Sequence, residues 1–354
     1  MKDVFICSGS QISMQEPLSE SWFTHPYLSE NAFNESIEPD YKPFIQPIEA
    51  RRMGKLLKRA VATSIDALQK SVCDSPDAII FGTGLGCVEN TEKFLNAVID
   101  NDEECLPPTP FMQSTHNTIS SQVALKLQCH GYNSTYSHRG TSFDSALLDA
   151  CMQLERGQIR TALVGGHDEM SPDYFKMLGK IGYWRNGKTD AQSLRQPGLG
   201  SIAGSCSCSL LLSNQPMTQP LAIIRDVQQF YHPTQEQLTA AAQQMLRENN
   251  LTINDIDAVM TGLSGDAAND RVYQELCAKI AGQAPVLWYK HLFGESFSAS
   301  AIGLYVTAVC LQKRRIPASL YYDPQQASDH RAVSNILFYN HFQNIDHSLI
   351  LVTV

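Results

Sequence analysis

The sequence predicts an α/β fold in layers, α-β-α-β-α, assembled from two half-copies of one strand-and-helix unit. Three observations carry this expectation. Strand-like and helix-like segments alternate along the whole chain, which points to α/β layering. An amphipathic helix leads to an apolar strand and a glycine turn twice, Glu49–Lys70 before Ala78–Gly86 and Thr234–Glu248 before Ala258–Gly265. Each half then carries a helix rich in small residues, Thr141–Arg156 and Ser296–Lys313, followed by a pair of apolar strands. Such helices are tightly surrounded, so both are placed between two sheets. The halves divide at residues 1–214 and 215–354 with no linker composition between them, and so form one pseudo-symmetric unit.

The elements can be justified in order. The opening Met1–Ser10 has a short apolar stretch broken by Ser8 and Gly9, too short for a signal peptide and suited to a strand. Tyr132–Ser137, bounded by Gly131 and Gly140, reads as a short strand. Ser142 or Thr141 can cap the next helix, in which Ala146, Leu147, Ala150, Cys151 and Leu154 recur at helical spacing. Arg156 and Gly157 end it with a basic last turn and a C′-type glycine. The apolar run Thr161–Gly166 is a buried strand that joins Ser205–Leu212, and its counterparts in the second half are Asn335–Tyr339 and Ser348–Val354. Asp100–Ser114 and Met170–Gly200 hold much of the loop-forming Pro, Gly and Asn.

Bulk properties narrow the function classes. At 354 residues, 43% hydrophobic and 18% charged, the chain can bury a large core. No run approaches the roughly 18 apolar residues of a membrane span. Ten scattered cysteines without a CxxC pair fit reduced thiols in the cytoplasm, and Cys206 and Cys208 stand too close for a zinc pair. A formal charge of −9 argues against nucleic acid as a general partner. Against that background Arg51, Arg52, Lys55, Lys58 and Arg59 form a local basic cluster, whose plainest reading is a solvated helix face. Gly82-Thr-Gly-Leu-Gly86 resembles a dinucleotide fingerprint only loosely, because Cys87 stands where the third glycine belongs. His167, Asp168 and Glu169 are consecutive and do not converge on one metal ion. No cofactor and no metal are expected.

Five segments in order carry a family resemblance over nearly the whole chain. Ile48-Glu-Ala-Arg-Arg-Met53 resembles the entry to the first long helix of β-ketoacyl synthases. Phe111–Asn117 with Ser120–Leu127 resembles their helix at the dimer seam. Ser134–Gly157, with Gly165-Gly166, resembles their strand, active-site turn and buried helix. Gly262–Asp270 resembles the loop of the first catalytic histidine, and Lys290–Ala301 the loop of the lysine and the second histidine. The resemblance implies the thiolase-like fold, a duplicated βαβ arrangement with two mixed sheets. It also implies an edge strand at Asn133–His138 that pairs across a two-fold axis, in a homodimer or a heterodimer.

The family's chemistry needs a cysteine thiolate at a helix N-terminus and two histidines that assist decarboxylation and stabilise an enolate. At the matching positions this chain has Gly140, Gly262 and Glu295. Lys290 and the pair Asn269-Asp270 are retained, and in the family these support the site. The family's Gly-Phe-Gly-Gly gate reads His341-Phe342-Gln343-Asn344, which keeps the gate phenylalanine Phe342 and loses the glycines that would let it swing. The character is that of a chain-length factor, a non-catalytic ketosynthase-like subunit of fatty-acid, polyketide or polyene synthesis that pairs with an active ketosynthase. By the same resemblance Arg51 and Arg52 fall where relatives dock the acyl carrier protein, and Ile119 is expected to face a shared tunnel. The alternative is a divergent acyltransferase or decarboxylase that uses Lys290, Glu295 or His138. Helix capping outweighs nucleophilic roles for Thr141 and Ser142, as structural packing does for His138, His167 and His291.

Overall fold

The computed structural model describes residues 2–71, 73–217, 219–327 and 332–354. The strands are β1 (Val4–Ile12), β2 (Ala78–Gly82), β3 (Tyr132–Tyr136), β4 (Thr161–Asp168), β5 (Cys206–Ser213), β6 (Ala222–Tyr231), β7 (Ala258–Thr261), β8 (Val286–Trp288), β9 (Asn335–Phe342) and β10 (Asp346–Thr353). They are hydrogen-bonded in the order β3-β2-β4-β5-β1-β6-β10-β9-β7-β8. Read outward from the centre, the two five-strand halves repeat one order. In each half the second strand pairs in parallel with its two neighbours and the fifth pairs antiparallel with its two, β2 and β5 in one and β7 and β10 in the other.

The eight longer helices are α1 (Lys55–Ser71), α2 (Val88–Asp100), α3 (Thr118–Leu127), α4 (Ser142–Glu155), α5 (Pro172–Lys180), α6 (Gln235–Glu248), α7 (Ala267–Ile280) and α8 (Ala299–Gln312). Helix α8 packs on strands of both halves, and α4 lies beside it. Every residue of α8 except Gln312 is buried, which is why its sequence shows no polar face. Helices α1 and α3 cover the outer side of the first half, α6 and α7 that of the second. This gives the five layers. Among the described residues no helix is long and apolar enough to cross a membrane.

The structure corrects three expectations. The two mixed sheets are continuous, because Val4–Ile6 of β1 pairs antiparallel with Ala222–Ile224 of β6. The helix expected over Glu49–Lys70 is broken into a short turn of helix at Pro47–Ala50 and α1, with a turn between them. The Gly54 N–H is taken by the Gln113 side-chain oxygen at 3.2 Å, where a continuous helix would use a backbone carbonyl. Neither Thr141 nor Ser142 caps α4 through its side chain. The Ser142 hydroxyl instead donates to the Arg139 carbonyl at 2.7 Å and accepts from the His138 N–H at 2.8 Å, which fixes the preceding turn. By contrast Thr234 and Gln237 form a full capping box at the start of α6. Gly157, at φ +68°, ends α4 in the left-handed conformation that favours glycine.

Candidate active-site remnant

Four segments bring five residues together at the N-terminal ends of the two buried helices. Gly140 precedes α4, Gly262 follows β7, Lys290 and Glu295 lie between β8 and α8, and Phe342 ends β9. All five line one cavity of about 110 Å³, together with Asn269, Tyr273, Ser300, Asn340 and His341. Sites for small organic ligands are usually several times larger, about 300–1,000 Å³. Both glycines are closed in by a neighbouring side chain. An added Cβ at Gly140 would overlap the Phe342 ring, and one at Gly262 would overlap the Tyr273 hydroxyl and crowd the stem of Lys290.

Lys290 does not stand free to support a reaction. Its ammonium lies 2.7 Å from the Glu295 carboxylate, with side chains only 8% and 20% exposed. Two groups of opposite charge in so sheltered a place hold each other, and neither faces the cavity as an unopposed charge. His341 is similarly committed. Its Nε2 lies 3.0 Å from the Asn269 carbonyl and its Nδ1 accepts from the Asn344 N–H at 3.3 Å, which assigns the proton to Nε2. Burial pushes its pKa down to about 3, so the ring is a neutral strut.

The turn that follows Phe342 is tight. Gln343 and Asn344 stand at φ +52° and +55° as the tight connection between β9 and β10. The Ile345 N–H closes this turn on the Phe342 carbonyl at 3.0 Å, and three residues separate the paired Phe342 and Asp346. Phe342 is therefore held at the base of a rigid hairpin, with its ring 5.7 Å from that of Phe297.

Sequence reasoning missed two residues that shape the site. Asp144 lies fully buried in α4, and its Oδ2 accepts from the Asn340 side-chain amide at 2.9 Å. Burial raises its pKa to about 6, partly offset by the Asn340, Ser300 and Ser348 side chains. The signal was present, since Asp144 shares the helical stripe of Leu147 and Cys151. Tyr273 is the second, and its hydroxyl lies 3.1 Å from the Asn340 side-chain oxygen. No sequence signal links it to Gly262, because that contact arises only when α7 folds back on β9.

Other candidates lie elsewhere. His138 is exposed, 3.8 Å from Asp346, in a separate cavity with Thr141 and His347. His167 is buried against the Ser207 hydroxyl at 2.7 Å. Asp168 accepts from the Thr83 hydroxyl and from the Gly84 and Leu85 N–H groups, and so shapes the turn after β2. His291 stacks on Trp288 and meets the Ser319 carbonyl at 3.0 Å. Ile119 is 1% exposed within the core beneath α3. Arg51 and Arg52 are exposed on the turn before α1 and not on its face. Lys55 pairs with Glu89 at 3.4 Å while staying 56% exposed, whereas the buried Arg59 is held by Glu38 and leaves the basic surface. Among the described residues no cluster of His, Cys, Asp and Glu could hold a metal ion.

Comparison with known proteins agrees with this geometry. Residues 20–191 match the family model of the beta-ketoacyl synthase N-terminal domain. No curated protein sequence matches the chain. Among solved structures, the ishigamide ketosynthase/chain length factor superposes with a TM-score of 0.81 at 15% identity, covering 100% of this chain and 99% of that one. A beta-ketoacyl synthase from Burkholderia phymatum gives 0.80 at 16%, covering 100% of both. A ketosynthase in complex with its chain length factor from Xenorhabdus doucetiae gives 0.77 at 15%, covering 100% and 98%. At such identities the structural likeness speaks for the fold. The chain shares the thiolase-like fold of these proteins, and its residues 20–191 are similar to the beta-ketoacyl synthase N-terminal domain.

Proposed function

We propose that this protein is a non-catalytic ketosynthase-like subunit that pairs with an active ketosynthase in the synthesis of a fatty-acid, polyketide or polyene chain. The observation that carries this reading is the cavity at Gly140, where the phenyl ring of Phe342 fills the space a nucleophile would need. Glycine removes the attacking atom, Gly262 removes one histidine, and Glu295 replaces the other with a group already bound to Lys290. An intact frame around an inert centre makes sense where a neighbouring subunit does the chemistry. The pairing surface is the open edge of β3, flanked by the exposed Tyr132 and Leu125. The carrier protein is assigned to Arg51 and Arg52, whose side chains make no ion pair among the described residues.

The test is native mass spectrometry of this chain co-expressed with the cognate intact synthase. A one-to-one complex that condenses acyl and malonyl units is the expected result. Separate homodimers, with the synthase fully active on its own, would reject the reading. The alternative, catalysis by Lys290, Glu295 or His138, is disfavoured by the ion pair and by the distance of His138 from the cavity lining.

A further inference from the structure

A second, half-open cavity of about 660 Å³ lies away from the site, at the centre of the sheet. It is bounded by six consecutive residues of β1, Cys7–Ile12, with Ala62, Asp66 and Lys70 of α1 on one side and Tyr305 and Gln312 of α8 on the other. Successive strand residues face opposite sides of a sheet, so a space that touches all six must lie abreast of the strand edge. Strand β6 leaves that edge early. It pairs only with Val4–Ile6, and the chain before it departs after the bond from Leu221 N–H to the Ile6 carbonyl at 2.7 Å. A bulge between Ile6 and Ser8 bends β1 away at the same point.

Beyond Ile6 this edge of β1 pairs with no strand among the described residues and borders the slot instead. The Gly9 carbonyl turns away from β5, because it accepts from the Tyr305 hydroxyl at 2.8 Å and from the Lys70 ammonium at 3.3 Å. In an antiparallel ladder the N–H of the same residue points the same way, and Gln11, two residues on, shares the orientation. The Gln11 side chain is 8% exposed, and its amide nitrogen donates to the carbonyls of Gln15 and Glu16. Its Oε1 has no partner among the described residues. The edge therefore offers donors at a two-residue repeat, about 6.6 Å, plus a buried acceptor for an amide. Charge is balanced, since Lys70 lies 2.6 Å from Asp66, which also accepts from the Ser10 hydroxyl.

We propose that this slot binds an extended, uncharged peptide segment that adds a strand to the open edge of β1, antiparallel to it and in line with β6. A repeat of backbone donors is matched by another backbone and by no single small apolar molecule. The absence of an unpaired charge excludes an acidic or basic segment, and six residues of open edge set the length at about 20 Å. This inference is independent of the pairing with a synthase.

The test is hydrogen–deuterium exchange of the full chain with acetyl-Thr-Val-Thr-Val-Thr-amide at about 1 mM, a concentration suited to weak complexes. Amides within Cys7–Ile12 should exchange at least about tenfold more slowly with the peptide bound, as an edge strand gains ladder bonds. The same peptide N-methylated at every amide should give no slowing. Ala62→Trp, which fills the slot, should abolish the effect, and Gln312→Trp does the same from the opposite wall should the first variant fail to fold. No slowing with the peptide, or equal slowing with its N-methylated form, overturns the proposal. Slowing by sodium octanoate in place of peptide marks an apolar ligand pocket and overturns it too.

Discussion

Gly140 keeps an ordinary backbone conformation, so a cysteine there would meet no torsional penalty; what it would meet is the ring of Phe342. Gly140→Cys should therefore lose about 1–3 kcal/mol of stability, as overpacked cores do. Adding Phe342→Ala should recover part of that loss in denaturant unfolding, and neither variant should condense substrates, because Gly262 and Glu295 are unchanged. Asp144 gives a pH-dependent prediction. Burial raises its folded pKa to about 6, above the ordinary carboxylate value, so folding favours the protonated acid. Its favourable contribution is complete below pH 4 and is lost as pH rises through 6. Asp144→Asn should raise the melting temperature at pH 7 and leave it nearly unchanged at pH 4; equal shifts at both values would contradict this. At this scale the sequence is informative about absence. A missing thiol and missing histidines are visible as letters, whereas Phe342 over Gly140, or Tyr273 over Gly262, depends on which chain segments meet.

Among the elements, the two ends of the sheet differ in a way that bears on assembly. Strand β8 is covered by the Tyr321–Tyr322 segment, through the bond from Tyr322 N–H to the Val286 carbonyl at 3.0 Å. Among the described residues strand β3 has no neighbour beyond it, and an uncovered edge is a pairing surface. Asn133→Pro, which removes one edge donor, should shift the protein from dimer to monomer in sedimentation velocity; an unchanged dimer would move the seam elsewhere. Charge reversal of Arg51 and Arg52 should weaken carrier-protein binding at least severalfold at low salt and flatten its salt dependence. Unchanged affinity would leave both as solvated side chains. Strands and helices of the repeat were legible because their apolar spacing is strong. The break before α1 was not, since it depends on Gln113, a residue remote in sequence that captures the Gly54 N–H.

The molecule as a whole repeats one five-strand order about the β1–β6 junction, and the duplicated pattern in the sequence was enough to expect this. The continuity of the sheet was not legible. It rests on three residue pairs, Val4–Ile6 with Ala222–Ile224, with no distinctive composition. The boundary at residue 214 sits in the connection between β5 and β6, and we retain it as a proposal. What the whole fold achieves is a thiolase-like frame around a cavity narrowed by Phe342 and by the Lys290–Glu295 pair. The most direct measurement of that claim is intact-mass spectrometry of the isolated chain, freed of any co-purifying synthase, after incubation with acyl and malonyl carrier proteins. The account predicts an unmodified mass and no release of carbon dioxide above the carrier-only control. A stoichiometric acyl adduct on a residue of the cavity, or steady decarboxylation by the purified chain, would contradict it.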